Sequence, residues 1–183
     1  MIKRRHTQSK TKIKTAITEL LVENSDFNDI TIRKITEKAH INRSTFYLHY
    51  QDKYDLIDKL MHDITDNLKK ELNTSSLNIR DSLIQGLIYL QSQQTFIQSV
   101  ITIAPVNFSQ KARQFIKELI DEIPSFFYDS INPNSGLPKD YMVITYAASL
   151  ESLYMHWVLS GAQESPQEIA DMFLIIRGFY QNP

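Results

Sequence analysis

The sequence predicts an all-α protein of about nine helices. Apolar residues recur every three to four positions along nearly all of its 183 residues. No segment alternates apolar and polar residues as a half-buried strand would, and only four glycines and six prolines interrupt the pattern. A hydrophobic share of 42% is enough for a packed core.

The elements follow in order. Ile13, Ala16, Ile17, Leu20 and Leu21 fall at i, i+3, i+4, i+7 and i+8, one apolar face of a helix ending near Asn24. The polar run from Asn24 to Asp29 reads as a loop. Thr31 can cap a short helix that turns Ile32, Ile35 and Ala39 inward, and Asn42 can cap another beginning at Arg43, with only a His40-Ile41 turn between them. A fourth helix starts at Asp52, where Asp55 suits its positive end, and runs through Ile57, Leu60, Met61, Ile64 and Leu68 to about Leu72. Asn73-Thr74-Ser75-Ser76 is the expected break. Leu83, Leu87, Ile88, Phe96, Ile97, Val100 and Ile101 then mark one or two helices ended by Pro105. Ser109 is the expected cap of the next, which carries Ala112, Phe115, Ile116, Leu119, Ile120 and Ile123 before Pro124, and residues 132–136 read as a loop.

Two helices close the chain, about Tyr141 to Gly161 and Pro166 to Tyr180. Gly161 supplies a left-handed residue, and Ser165-Pro166-Gln167-Glu168 combines an N-cap Ser, a Pro at the first helical position and a Glu at the third. Neither helix has a clear polar face, so each must be covered on more than one side. A second copy of the chain supplies that cover most simply, in a two-fold four-helix contact drawing on Tyr146, Leu150, Leu153, Trp157, Phe173, Ile176 and Tyr180. The expected organisation is therefore a helix-turn-helix head at residues 1–52, a connecting helix at 53–72 and a C-terminal dimerisation and ligand-sensing domain at 73–183.

Charge separates these parts. Residues 1–50 hold ten Lys and Arg against five Asp and Glu, a net of +5, whereas the remainder holds ten against 16, a net of −6. A basic head on an acidic body fits a nucleic-acid partner, although a solvated basic helix has the same composition. The absence of cysteine excludes disulfides and thiolate chemistry. No run of roughly 18 apolar residues spans a membrane and the start does not read as a signal peptide, so a cytoplasmic protein without a membrane partner is expected.

The function is carried by residues 31–53. A short helix, a three-residue turn and a helix of about eight residues from Asn42 to Tyr50 have the geometry with which a recognition helix enters the major groove. Phe46 and Tyr50, four apart, can pack on Ile35 and Ala39. The opposite face then offers Arg43, Ser44, Thr45, Tyr47 and His49 to base edges and phosphates. Lys53 adds a positive charge beside a helix N-terminus, and both favour a phosphate oxygen.

Thr31-Ile32-Arg33-Lys34-Ile35, Ala39 through Tyr50, and Lys53-Tyr54-Asp55-Leu56 together resemble the head of TetR/AcrR-type regulators over about residues 9–60. The aromatic pair, the His two residues later and the Lys four beyond it stand in the family's order and spacing. The chain departs from the pattern at His40, usually a small turn residue and often Gly, and at Ser44, often Gly or Pro. The resemblance implies a phosphate contact from Thr31, groove positions for Asn42, Arg43, Ser44 and Thr45, with Arg43 facing a guanine, and backbone contacts from Tyr47, His49 and Lys53. Thr31 and Asn42 can equally be plain helix caps. The basic tract Lys3, Arg4, Arg5, Lys10, Lys12 and Lys14 is either a further DNA contact or a solvated arm. Residues 146–168 resemble one C-terminal type of such regulators, similar in some members to activators of dihydroxyacetone kinase operons, which answer to partner proteins.

Taken together, these readings give a DNA-binding transcriptional regulator, a dimer on a palindromic operator of double-stranded DNA, read first as a repressor modulated by an effector. The alternative is a helix-turn-helix regulator or co-activator controlled by a protein partner. A small-molecule effector would lie among Tyr89, Phe96, Phe108, Phe115 and Tyr154, unless those aromatics form a filled core. No cofactor and no metal is expected. His6, His40, His49, His62 and His156 show no metal-ligand spacing, and neither a phosphate-binding Gly loop nor a Ser nucleophile elbow occurs, so the chain reads as a non-enzyme.

Overall fold

A computed structural model describes residues 2–73, 78–104, 107–122 and 138–181, with side chains between Gln8 and Gly178. Among the described residues there are nine α-helices and no strand: α1 (Ile2–Glu23), α2 (Ile32–Lys38), α3 (Arg43–Tyr47), α4 (Lys53–Leu72), α5 (Ile79–Ser92), α6 (Gln94–Ile103), α7 (Phe108–Glu122), α8 (Lys139–Leu159) and α9 (Pro166–Gln181). A single 3-10 turn, Phe27–Asp29, lies in the predicted loop. The expected break at 74–76, Pro105, Ile123 and Pro124, and the 132–136 loop lie outside the described residues. No described helix is long and apolar enough to cross a membrane.

The chain forms two compact units, residues 1–64 with 95–106, and 65–94 with 107–183. In the first, α1 lies against α2 and α2 against α3. Its core includes Ile13, Ile17, Leu21, Ile30, Ile35, Phe46, Leu56 and Ile57, each no more than 2% exposed. In the second, α5 packs on α9, α7 on α8, and α8 on α9. Ile120, Tyr146 and Leu150 form a core cluster, with Ile116, Val143, Phe173 and Ile176 packed against it. Arg80 on α5 grips Asp171 on α9 through two bonds of 2.7 and 3.0 Å. Lys69 on α4 reaches Glu122 on α7 at 2.9 Å.

Helix ends follow the side chains that can satisfy them. Thr31 Oγ1 accepts from Lys34 N at 3.2 Å, and Asp52 Oδ1 accepts from the amides of Tyr54 and Asp55 at 2.8 Å each. The Ser165–Glu168 capping box closes as expected: Glu168 N donates to Ser165 Oγ at 3.3 Å, and Ser165 N donates to Glu168 Oε2 at 2.8 Å. Two caps differ from expectation. Asn42 occupies the N-cap position of α3 but its side chain makes no capping bond. Asn107, not Ser109, caps α7, with its Oδ1 accepting from Gln110 N at 3.1 Å, so Ser109 falls inside the helix. Asn78 caps α5 in the same way, accepting from Asp81 N at 3.0 Å.

The turn between α2 and α3 shows what the departure at His40 entails: His40 takes φ 52, in the left-handed region that Gly enters without steric penalty and other residues do not. His40 N donates to Glu37 O at 3.2 Å and Ile41 N to Thr36 O at 3.0 Å, the paired bonds of a Schellman close. Gly161 (φ 95) closes α8 likewise, with Gly161 N donating to Val158 O and Ala162 N to Trp157 O.

Candidate nucleic-acid interface

α3 is short, yet its turns continue beyond Tyr47: Leu48 N donates to Ser44 O at 3.1 Å and Tyr50 N to Phe46 O at 3.0 Å. Across this stretch the two faces separate cleanly. Phe46 and Tyr50 are 0% and 2% exposed, alongside buried Ile35 and Ala39, whereas Tyr47 and Leu48 are 56% and 70% exposed. Asn42, Arg43 and Ser44 are exposed, and Thr45 is half-buried. The Tyr47 ring stands edge-on to Phe46 at 5.6 Å, so a buried ring braces the exposed one. Burial pushes the Tyr50 hydroxyl up to about 12, which keeps it neutral.

The remaining predicted residues are held by their surroundings. His49 is half-buried, and its Nε2 lies 2.7 Å from Ser9 Oγ, joining the end of the recognition segment to α1. Lys59 Nζ donates to the His49 carbonyl at 3.1 Å. Thr31 serves as a cap, and the uncapping Asn42 amide stays available to other partners. Lys53 does not extend into solvent: its Nζ donates to the Phe27 carbonyl at 2.7 Å and lies 4.5 Å from the Phe27 ring centroid. Within the basic tract Lys10 and Lys12 are exposed. Lys14 instead turns inward, 5.7 Å from the Phe96 ring on α6, and burial lowers its pKa against the opposing pull of Asp63. The side chains of Lys3, Arg4 and Arg5 lie outside the described residues. Ser9 and Phe27 escape the sequence reading, and Tyr54 enters it only as part of the Lys53-Tyr54-Asp55-Leu56 motif, without a role of its own.

Residues 15–60 match the family described as bacterial regulatory proteins, tetR family, and residues 77–177 match a transcriptional regulator C-terminal region. The chain belongs to the TetR family of transcriptional regulators. Its members are DNA-binding regulators and not enzymes. An uncharacterized HTH-type transcriptional regulator, YxbF of Bacillus subtilis (strain 168), is 36% identical over 61 residues, a match that spans 33% of this chain and 16% of that protein. A TetR transcriptional regulator from Streptococcus agalactiae 2603V has a similar fold, with a TM-score of 0.72 and 22% identity over 96% of each chain. The dihydroxyacetone kinase operon activator DhaS gives a TM-score of 0.68 at 20% identity over 95% of this chain and 98% of that one.

The C-terminal unit of this TetR-family regulator distributes its expected residues unequally. Tyr89, Phe108, Phe115 and Tyr154 are all half-buried there, whereas Phe96 lies on α6 in the first unit. The Tyr154 hydroxyl is fully buried and has no hydrogen-bond partner among the described residues. Its ring meets that of Trp157 at 6.3 Å, and the Trp157 indole N–H donates to the Glu164 carbonyl at 3.0 Å. Of the residues expected at a dimer contact, Tyr146, Leu150 and Trp157 are 3%, 8% and 0% exposed within their own chain, which leaves them little surface to offer a second copy. Leu153, Phe173 and Ile176 are half-buried, and the side chain of Tyr180 lies outside the described residues. The outward apolar positions are others: Tyr141, Ile144 and Leu159 on α8, and Met172 and Ile175 on α9.

Proposed function

We propose that this regulator binds a palindromic operator as a homodimer, with α3 in the major groove of each half-site, and represses transcription until an effector releases it. The observation that carries the reading is the two-faced recognition segment, in which Phe46 and Tyr50 anchor the inner side while Asn42, Arg43, Ser44 and Tyr47 stand outside. Arg43 carries a guanidinium whose fork matches the O6 and N7 acceptors of guanine, and no ion pair holds it among the described residues. Tyr47 and His49 then hold the phosphate backbone, which sets register without reading sequence. DNA selected from a random library by the wild type provides the test. On the selected site Arg43→Ala is expected to lose about 1–3 kcal/mol and relax preference at one position per half-site. Equal weakening on selected and scrambled DNA would remove Arg43 from base reading.

The effector site is proposed among the aromatics of the C-terminal unit, and the solitary Tyr154 hydroxyl supports it. A buried hydroxyl left unpaired costs on the order of 1–3 kcal/mol, so it is a ready donor or acceptor for a mostly apolar ligand with one polar group. Tyr154→Phe is expected to stabilise the free protein by about 1 kcal/mol, a rise of roughly 2–4 °C in Tm, and to weaken any compound that raises the wild-type Tm. Destabilisation of the free protein by the same change would mean that the hydroxyl already has a partner. A screen in which no small molecule shifts Tm or DNA affinity favours control by a protein partner instead.

A further inference from the structure

Beyond the residues expected at DNA, the recognition segment exposes an aliphatic one. Leu48 is 70% exposed, more than any other large apolar side chain among the described residues. Single apolar residues at a surface are ordinary, so exposure alone says little. Its place on the helix says more. Leu48 keeps helical angles, φ −68 and ψ −20, and its amide donates to Ser44 O at 3.1 Å. At about 100° per residue it therefore stands opposite the midpoint of Phe46 and Tyr50, the two rings that anchor the segment inward. Ser44, one turn earlier on the same outward row, is exposed too. His49, by contrast, is half-buried, with its Nε2 2.7 Å from Ser9 Oγ. The outermost position of the segment thus belongs to Leu48, a side chain with neither charge nor hydrogen-bonding group.

We propose that Leu48 is a specificity-determining residue, which packs on the C5-methyl group of a thymine in the major groove and so selects an A·T pair at one position of each half-site. A phosphate does not suit it, because holding one takes a donor or a positive charge and the Leu side chain has neither. On the base edges of the major groove the thymine methyl is the apolar group. The other edges present nitrogen and oxygen atoms, which an aliphatic chain would strip of water without replacing their hydrogen bonds. Leu48 thereby favours thymine and penalises a G·C pair at the same place. Its reading is also of a different kind from that of Arg43: the apolar surface now in water is covered only when the groove offers a methyl group in return. Polar and apolar readers would then share one short segment, on the neighbouring rows Arg43–Tyr47 and Ser44–Leu48.

The proposal rests on the DNA-binding reading above, and its test separates the two. The wild-type full chain first selects its site from a random library. Thymines of that site are then replaced by deoxyuridine, one symmetry-related pair at a time, which removes the C5-methyl group and keeps every hydrogen-bonding group of the base. Affinity is measured for the wild type and for Leu48→Ala, with amide exchange across residues 43–50 recorded alongside. Covering one methyl-sized group corresponds to about a fourfold change per half-site, or roughly fifteenfold over two. One replacement is therefore expected to weaken the wild type roughly fifteenfold and to leave Leu48→Ala unchanged, with exchange in that variant at the wild-type rate. Library selection by Leu48→Ala is expected to lose the thymine preference at that position and to keep the others. A replacement that weakened both proteins equally would assign the methyl to another side chain or to DNA shape, and would overturn the proposal. So would a wild type indifferent to every replacement, or a Leu48→Ala variant that exchanged faster while remaining sensitive to deoxyuridine. A wild type that selects no DNA would instead overturn the DNA-binding reading, and this proposal with it.

Discussion

Ile175→Glu is expected to convert the protein to a monomer at micromolar concentration and to abolish tight operator binding. The exposed positions of α8 between Tyr141 and Leu159 are Tyr141, Ile144, Thr145, Ser152, His156 and Leu159, with no Lys, Arg, Asp or Glu among them. Met172 and Ile175 continue an apolar surface on α9, which packs against α8. Charge depletion combined with exposed aliphatic and aromatic side chains is the composition of an interface core. In a two-fold contact one substitution enters twice, placing two carboxylates in an apolar surface without cationic partners. Operator affinity falls because two linked half-site contacts become independent ones, a loss on the order of 10²–10⁴. Ile175 is the better probe because it is 60% exposed, whereas neighbouring Ile176 packs on the Ile120–Tyr146–Leu150 cluster, where a charge would damage the protomer itself. Sedimentation and operator titration on the same sample decide the matter. A variant that remained dimeric and bound normally would place the interface elsewhere.

Phe46→Ala is expected to destabilise the first unit by about 3–5 kcal/mol and to eliminate DNA binding at 37 °C. The ring is 0% exposed and touches both Tyr47 and Tyr50, with centroids 5.6 Å away in each case. A helix as short as α3 has too few internal hydrogen bonds to persist alone, so its conformation depends on this anchor. Amide exchange in α2, α3 and the first turns of α4 reports the loss locally, independently of the C-terminal unit. Tyr47→Phe serves as the control: it removes an exposed hydroxyl, should leave exchange unchanged and should weaken DNA binding alone. Retention of wild-type protection in Phe46→Ala would contradict the anchoring role.

What could be read in the sequence divides along physical lines. The inward and outward faces of the recognition segment were legible because a four-residue spacing of Phe46 and Tyr50 fixes one face and hands the other to Arg43 and Tyr47. Ser165 and Glu168 were legible for a similar reason, since both halves of the capping box lie within one turn. Asn42 and Ser109 misled because a cap is defined by where the backbone enters the helix, and a shift of one or two residues reassigns the role. The dimer residues were harder still. α8 is apolar on every side, so periodicity says that it is covered all round without saying which side faces its own protomer. Tyr146, Leu150 and Trp157 point inward, and Ile144 and Leu159 do not. The contact of Lys53 with the Phe27 carbonyl was invisible because the two residues lie 26 positions apart in the chain.

The interleaved path of the chain bears on how such a regulator can acquire a new DNA preference. Segment 95–106 belongs with residues 1–64, although a stretch of the other unit precedes it and more follows. On α6, Phe96, Ile97 and Val100 are 3%, 1% and 0% exposed, and Phe96 lies beside Lys14 of α1. A hybrid joined once after α4 would combine a head from one parent with an α6 from another, and Phe96, Ile97 and Val100 would then meet a core not built around them. A faithful graft would need three junctions, near 64, 94 and 106. A single join between two relatives is therefore expected to disturb this core, whereas substitutions at the exposed positions 43 and 44 leave the Phe46 ring and its contacts in place. If α3 reads the operator as proposed, a change of DNA preference is expected to come more readily from point substitutions on that short helix than from exchange of whole segments.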